Sequence, residues 1–583
     1  MKYTLSDIDS LNLYKLIVNS YNEYPDNPAV GFVGKEMYSY RDIIEKINKL
    51  SFHLYEHGIR KGDKVAIWSQ NKPNWSVAFF AIMRLGAIAV PILPDFSIHE
   101  VNNILRHSES KMIFISSSLY RKIDMETINL VDSLILLKDF TMRVKEGNNL
   151  EKSDRFEEFC KSHQSDISGF TPEEIPASAI ASLIYTSGTT GSSKGVVLTH
   201  RNLVANAIQS ANIFPIKSHY RFLSVLPMSH TLEFTIGTIL PLVSGASIHY
   251  IDKPPTAPVL LPALKAVRPT TMLTVPLIIE KIYKSKIKPE LTGSPLKAFL
   301  YNKVAPMRKL MNIIAGKKLM ATFGGELSFF GVGGAKLDGE TEKFLKSARF
   351  PYAIGYGLTE TSPLLAGTPP EHTVVGSTGP AAIGVDMKLI NVDEATGQGE
   401  IVVKGPNVMS GYYKNPEKTA EVFTEDGYFR TGDTGFIDKK GFLFIKGRIK
   451  NMILGASGEN IYPEEIEAQI NQSEWVLESL VSQVRGQLVA RVHFNYDALE
   501  KSWNNFKDSA IKSEQNMEQF LIEFREKINK ELNRFSKLGQ VIEQKEEFVK
   551  TPTKKIKRFL YEGEDTPISE NSFEQEKNLN SKK

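Results

Sequence analysis

The chain has 583 residues, 42% hydrophobic and 24% charged, as expected of a soluble globular protein with more than one core. A net charge of +4 on that length is too weak to argue for nucleic acid. The single cysteine, Cys160, excludes an internal disulfide and fits a reducing, cytoplasmic compartment. The opening residues Met1-Lys2-Tyr3-Thr4-Leu5 carry no basic-then-apolar pattern, so no signal peptide is expected. The longest apolar run, 75–93, is broken by Arg84, Gly86 and Pro91, so no transmembrane segment is expected; peripheral contact with the inner face of a membrane stays open.

In chain order, apolar residues at helical spacing predict helices over 11–24 and 41–54. A turn at 58–63 leads to a strand at 65–68, a helix at 75–84 and a strand at 87–91; a helix at 99–107 and a strand at 112–115 repeat the alternation. Such alternation predicts an α/β fold with crossover helices. Further strands are expected at 222–227, 273–276 and 327–332, with a helix at 202–211 and a basic, helical stretch from Glu280 to Lys318. Between 386 and 412 the pattern changes to short alternating strands, expected to form a small β subdomain. The expected organisation is a large domain over 1–447, a hinge at 448–451, and a smaller mobile α+β domain over 452–562. A polar, disordered tail follows at 563–583. In the smaller domain, a helix over 463–471 opens with proline and two glutamates, paired strands follow at 479–484 and 487–493, and a charged helix runs over 517–535.

The most informative stretch is Tyr185-Thr186-Ser187-Gly188-Thr189-Thr190-Gly191-Ser192-Ser193-Lys194-Gly195. Its glycines let the backbone curl, its hydroxyls donate hydrogen bonds, and Lys194 adds a cation, a combination suited to a polyphosphate. The spacing is not that of a Walker A loop. A plain Ser/Gly surface loop is the alternative, but two apolar strands bracket these eleven residues.

This stretch resembles the phosphate loop of the adenylate-forming superfamily, and further segments match that pattern in order over nearly all of the chain to about Phe559. The resemblance implies that Thr186, Ser187, Gly188, Thr189, Thr190, Gly191 and Lys194 cradle the phosphates of ATP. Leu226-Pro227-Met228-Ser229-His230 with Glu233 is similar to the segment that closes over the acyl pocket; alone, His230 is as well read as a structural histidine. Gly333, Gly334 and Ala335 would lie against adenine, the alternative being a tight turn. In Tyr356-Gly357-Leu358-Thr359-Glu360-Thr361, Tyr356 and Gly357 would sit at the nucleotide and Thr359 would reach the α-phosphate. Glu360 would hold Mg²⁺. Asp433 would accept the ribose hydroxyls and Arg448 would contact ribose or phosphate. Lys450 would be the hinge, while Ser457, Gly458 and Glu459 would line the CoA channel. In Thr551-Pro552-Thr553-Lys554-Lys555-Ile556 the catalytic lysine is expected at Lys555, the one preceding the aliphatic residue. This chain has Lys554 where many relatives have glycine.

His230, Ile236, Val332, Leu358 and Leu364 make the expected acyl pocket apolar, which suits a fatty acid better than an amino acid. The basic stretch 280–318 and the segment 404–413 look most like those of long-chain fatty acyl-CoA synthetases. The implied activity is ATP- and Mg²⁺-dependent activation of a fatty acid and its transfer to CoA, by a monomer or homodimer. The alternatives are transfer to an acyl-carrier protein and a non-catalytic nucleotide-binding protein.

Overall fold

The computed structural model of the protein describes residues 2–146, 149–186, 194–454, 460–496, 498–500, 514–551 and 555–561. The expected tail, 563–583, lies outside the described residues. The chain divides into two compact units: Met1–Thr431 with Phe436–Ile445, and Gly432–Gly435 with everything from Lys446 onward.

The first unit contains two large mixed sheets. The nine-stranded sheet centres on the parallel strands Lys64–Trp68, Ile88–Ile92 and Ser110–Ile115, read from the sequence as buried runs. The eight-stranded sheet places Phe329–Val332 between Thr271–Thr274 and Tyr352–Gly357, all parallel. Helix Pro73–Arg84 is buried at Pro73 and from Trp75 through Arg84, which its nearly continuous apolar sequence requires. Helix His200–Ile213 is also largely buried, and the polar side chains it carries inside include three amides, Asn202, Asn206 and Gln209.

The expected small β subdomain is only partly a unit. Asp386–Ile390 and Gly399–Lys404 pair in a four-stranded sheet with Phe429–Ile437 and Leu443–Arg448. Gly411–Tyr412 instead pairs antiparallel with Lys194–Thr199 and forms the edge of the nine-stranded sheet. A strand of two residues has no register preference of its own, so the exposed edge beside it decides its partner.

The second unit packs helix Pro463–Ile470 and helix Glu514–Glu531 with a three-stranded sheet, Val476–Val484, Gln487–Phe494 and Gln540–Glu543. Ile466, Ile470, Val481, Val492, Phe494 and Phe524 form its separate apolar core. Among the described residues, no helix is long and apolar enough to cross a membrane.

Candidate active site

Strands Ile180–Thr186 and Lys194–Thr199 form an antiparallel pair in which Thr186 faces Lys194. Ser187, Gly188, Thr189, Thr190 and Gly191, expected at the phosphates, lie outside the described residues, but the mouth of their loop is well defined. The Tyr185 ring covers Gly195, where a Cβ would come within 3.2 Å of it, and its hydroxyl meets His107 Nδ1 at 2.7 Å. The Tyr413 amide donates to the Gly195 carbonyl at 2.8 Å.

At that mouth two expected residues meet through a third. Lys194 Nζ stands 4.9 Å above the Tyr412 ring, in cation–π range, and the Tyr412 hydroxyl donates to Glu360 Oε1 at 2.9 Å. Burial, and then the Glu360 charge, push the Tyr412 phenol well above its ordinary range, so it stays a donor. The Met409 amide donates to the Glu360 carbonyl at 2.8 Å, tying the glutamate's backbone to the same segment.

Thr359 and Glu360 occupy a single tight turn, Thr359–Thr361. Gly357, just before it, approaches the Pro363 carbonyl so closely that a Cβ would fall 1.8 Å from that oxygen; no other residue fits. The turn is clamped from below by amides. Asn407 Nδ2 donates to the carbonyls of Thr361 and Leu364, each at 2.9 Å. Asn206 donates to Leu364 O at 2.9 Å and accepts from the Leu364 amide at 3.1 Å. Gln209 links the two, donating to Asn407 Oδ1 at 3.3 Å and accepting from Asn206 at 3.1 Å. Asn202 fixes the neighbouring chain by donating to Pro406 O and Val408 O. Asn202, Asn206 and Gln209 are spaced four and three apart on one helix, so they share a face.

Gly333, Gly334 and Ala335 follow strand Phe329–Val332, and Tyr356 and Gly357 end the adjacent parallel strand. Both segments therefore leave the sheet at its carboxyl edge, where open α/β sheets place their ligand crevices. Gly334 has φ +86°, a left-handed conformation that glycine adopts without strain. Tyr356 is buried, and the Cβ that Gly333 lacks would touch Leu232 at 3.1 Å.

Leu232 opens a π-helical stretch, Leu232–Ile239, that the sequence pattern did not reveal. His230 precedes it and caps it locally, its Nδ1 accepting from the Leu232 amide at 3.3 Å. Ile236 and Leu358 pack on the main core, whereas Val332 belongs to a separate cluster with Tyr283 and Phe344; Leu364 is buried. The structure thus does not gather all five expected acyl-pocket residues in one apolar cluster. Buried beside them is Glu233, whose Oε1 accepts from Ser224 Oγ at 2.5 Å. Asn71 donates to that same hydroxyl at 2.8 Å and receives the Met228 amide at 2.9 Å. Burial pushes the Glu233 carboxyl up to about 8.

In the second unit Asp433 is buried and pairs with Arg448, Nε to Oδ1 3.1 Å. Lys450 lies exposed in the tight turn Ile449–Asn451. Ser457, Gly458 and Glu459 lie outside the described residues. Lys555 is exposed at the close of a hairpin whose base is secured: the Thr551 amide donates to Lys555 O at 2.7 Å, and Lys557 N donates to Val549 O at 2.9 Å. Three residues on, Arg558 Nη2 donates to both oxygens of Glu467 and its Nη1 donates to the Val481 carbonyl at 3.2 Å, while Glu467 receives the Val481 amide at 2.7 Å.

Among the described residues no group of three or more His, Cys, Asp or Glu side chains could hold a metal ion. A lone carboxylate such as Glu360, with one oxygen engaged by Tyr412, suits an ion like Mg²⁺ that takes most ligands from substrate phosphates and water.

An α/β protein with a clamped Thr-Glu turn and a glycine-rich segment at the carboxyl edge of one sheet has the crevice of a nucleotide-binding enzyme. Residues 18–413 match the family described as AMP-binding enzyme, and the chain belongs to that family. It is 30% identical over 510 residues to a long-chain-fatty-acid–CoA ligase of Bacillus subtilis, covering 82% of this chain and 84% of that one. A long-chain-fatty-acid–[acyl-carrier-protein] ligase of Arabidopsis thaliana is 28% identical, over 76% of this chain and 70% of that one. The fold also matches o-succinylbenzoate CoA synthetase of Bacillus subtilis, solved with its acyl-adenylate intermediate. That match has a TM-score of 0.71 at 21% identity, covering 96% of this chain and 99% of that one.

Proposed function

We propose that the protein is an acid–thiol ligase that joins a long-chain fatty acid to CoA in two steps, at the expense of ATP, in the cytoplasm. The observation that carries this reading is the array Lys194–Tyr412–Glu360, which sets a cation and a carboxylate side by side at the mouth of a hydroxyl-rich loop.

A carboxylate is a poor acyl donor because its oxygen leaves badly. In the first step the fatty carboxylate oxygen attacks the α-phosphorus of ATP, the bond to the bridging oxygen breaks, and pyrophosphate departs. Two anions must meet, so neutralising charge is the main task. Lys194 and residues 186–191 hold the phosphates, Thr359 reaches the α-phosphate, and Lys555 stands between the reacting groups. Glu360 would hold Mg²⁺, which when bound would supply further neutralisation of phosphate charge. Gly333 to Ala335 and Tyr356 hold the adenine, while Asp433 and Arg448 hold the ribose. The apolar side chains of Ile236, Val332, Leu358 and Leu364 take the acyl chain, with His230 at its gate.

In the second step the CoA thiolate attacks the acyl carbonyl carbon and AMP leaves. Lys555 must withdraw first, and a backbone rotation at Lys450 brings residues 457–459 to the pantetheine arm. The relative from Arabidopsis that is named for a carrier protein keeps a second acceptor in view. The test is a panel of short to very long acids, assayed for pyrophosphate release and then for acyl transfer to CoA or to carrier protein. Long acids with CoA should give the fastest turnover. A carrier-protein preference would move the protein to the sister class, and absence of pyrophosphate release with every acid would remove the ligase reading. Replacing Glu360 by alanine should slow the first step by on the order of 10²–10³.

A further inference from the structure

The charge of the chain is unevenly spread. Residues 276–322 hold ten lysines and arginines against two glutamates, a net +8 within 47 residues of a chain whose total is +4. The rest of the chain is therefore net acidic. The stretch is helical, including Pro276–Ile282, Pro295–Lys303 and Ala305–Thr322. Lys288 pairs with Glu340 and Lys318 with Glu290, which leaves most of the excess charge at the surface.

The same helices expose large apolar side chains. Leu296 is 68% and Phe299 59% exposed on one helix; Leu310 and Ile314 are each 50% exposed on the next. Helix Ala305–Thr322 buries Asn312, Gly316 and Leu319, so at 100° per residue Leu310 and Ile314 point away from the core. Lys317 and Lys318 flank them on that outward side. Leu296 and Phe299, three apart, likewise share a face, with Lys303 between them one turn on, and Lys297 is exposed on the same helix. Core packing does not account for outward apolar pairs on consecutive helices.

The geometry points to this surface docking on an anionic lipid bilayer, with Leu296, Phe299, Leu310 and Ile314 entering the headgroup boundary and the lysines meeting lipid phosphates. Lipid fits the pattern better than a protein partner does. Protein interfaces are depleted in lysine, whereas lysines around an apolar stripe can extend their ammonium groups to a charged headgroup layer while their stems stay in apolar surroundings. The assignment is independent of the catalytic reading.

The test is sedimentation of the full chain with vesicles of phosphatidylcholine alone or with one quarter phosphatidylglycerol. The parent should bind the anionic vesicles at least about tenfold more tightly than the neutral ones and lose that preference in high salt. A variant with Leu296, Phe299, Leu310 and Ile314 all changed to serine should lose at least about tenfold in partitioning. Changing Lys297, Lys303, Lys309 and Lys317 to glutamine should abolish the preference for anionic vesicles. All these positions are exposed, and unchanged circular dichroism and thermal midpoint would show that the variants fold. Equal binding of parent and serine variant overturns the proposal. So does self-association of the parent that disappears in the serine variant while vesicle binding does not change, an outcome that would assign the surface to a second copy.

Discussion

Glu360 and Lys555, the two charged groups to which the proposed first step gives most weight, sit in contrasting surroundings. Glu360 sits in a turn whose carbonyls are taken by Asn206 and Asn407, behind a glycine that admits no side chain, with its own carboxylate oriented by Tyr412. Lys555 is exposed, with the backbone around it tied between Thr551 and Lys555 and between Lys557 and Val549, and with the Arg558 ion pair beyond it. On the proposed mechanism the first group stays in place through both steps, and the second has to withdraw between them. The contrast teaches that two charged groups can be secured by different means, a carboxylate through the phenol and amides around its buried turn, a lysine through the backbone ties and ion pair on either side of it.

The sharpest way to break this comparison is Lys555→Ala. Adenylate formation, followed by pyrophosphate exchange, should fall by about 10³, while thioester formation from a supplied acyl-adenylate stays within about threefold of the parent. Equal loss in both would mean that Lys555 is as fixed a part of the site as Glu360. Next comes the Arg558 ion pair. Arg558→Met leaves the Glu467 carboxylate buried without its partner and should destabilise the second unit by about 3 kcal/mol, read by calorimetry. Changing Glu467 to methionine as well should restore most of that loss.

In the first unit, Glu233 offers a pH test of how firmly the site's surroundings are buried. Its carboxyl titrates at about 8, above its ordinary 4.5, so the folded state holds the proton more tightly than the unfolded chain does. The linked stability is complete below about pH 4.5 and is lost as pH rises through 8. Glu233→Gln should flatten that decline, the two stability curves diverging by a few kcal/mol (order of magnitude) at pH 8 in urea titrations. The smallest effect is expected from Tyr412→Phe, which keeps the ring beneath Lys194 and removes only the hydroxyl on Glu360. The Mg²⁺ concentration for half-maximal adenylation should rise about tenfold, with the pH dependence unchanged. An unaltered Mg²⁺ requirement would detach Tyr412 from the positioning of Glu360.

Much of this was legible beforehand. Lys194 and Glu360 stand in contiguous motifs, and the helices over 11–24, 41–54 and 75–84 appear within one or two residues of their expected ends because their apolar periodicity is strong. The α/β class followed from the alternation of strands and helices, and the family from the order of the motifs. Tyr412 was less visible: it lay in a segment read as part of a small β subdomain, and its link to Glu360 crosses 52 positions. The amide clamp left a trace, side-chain amides at positions 202, 206 and 209 on one face of a largely buried helix, but nothing local names their partners at 361–364 and 406–408. The π-helical turn at 232–239 and the burial of Glu233 left no periodic signal at all.

Taken by itself, the order of residues determined which chemistry is available: short stretches that must wrap a phosphate or end a strand carry their own backbone requirements. The tertiary structure alone decided which groups meet, because hydrogen bonds between segments as much as 307 positions apart are chosen by how sheets and helices pack. It also decided which face of a basic helix is left to the solvent, since that depends on what the opposite face has already found to cover it.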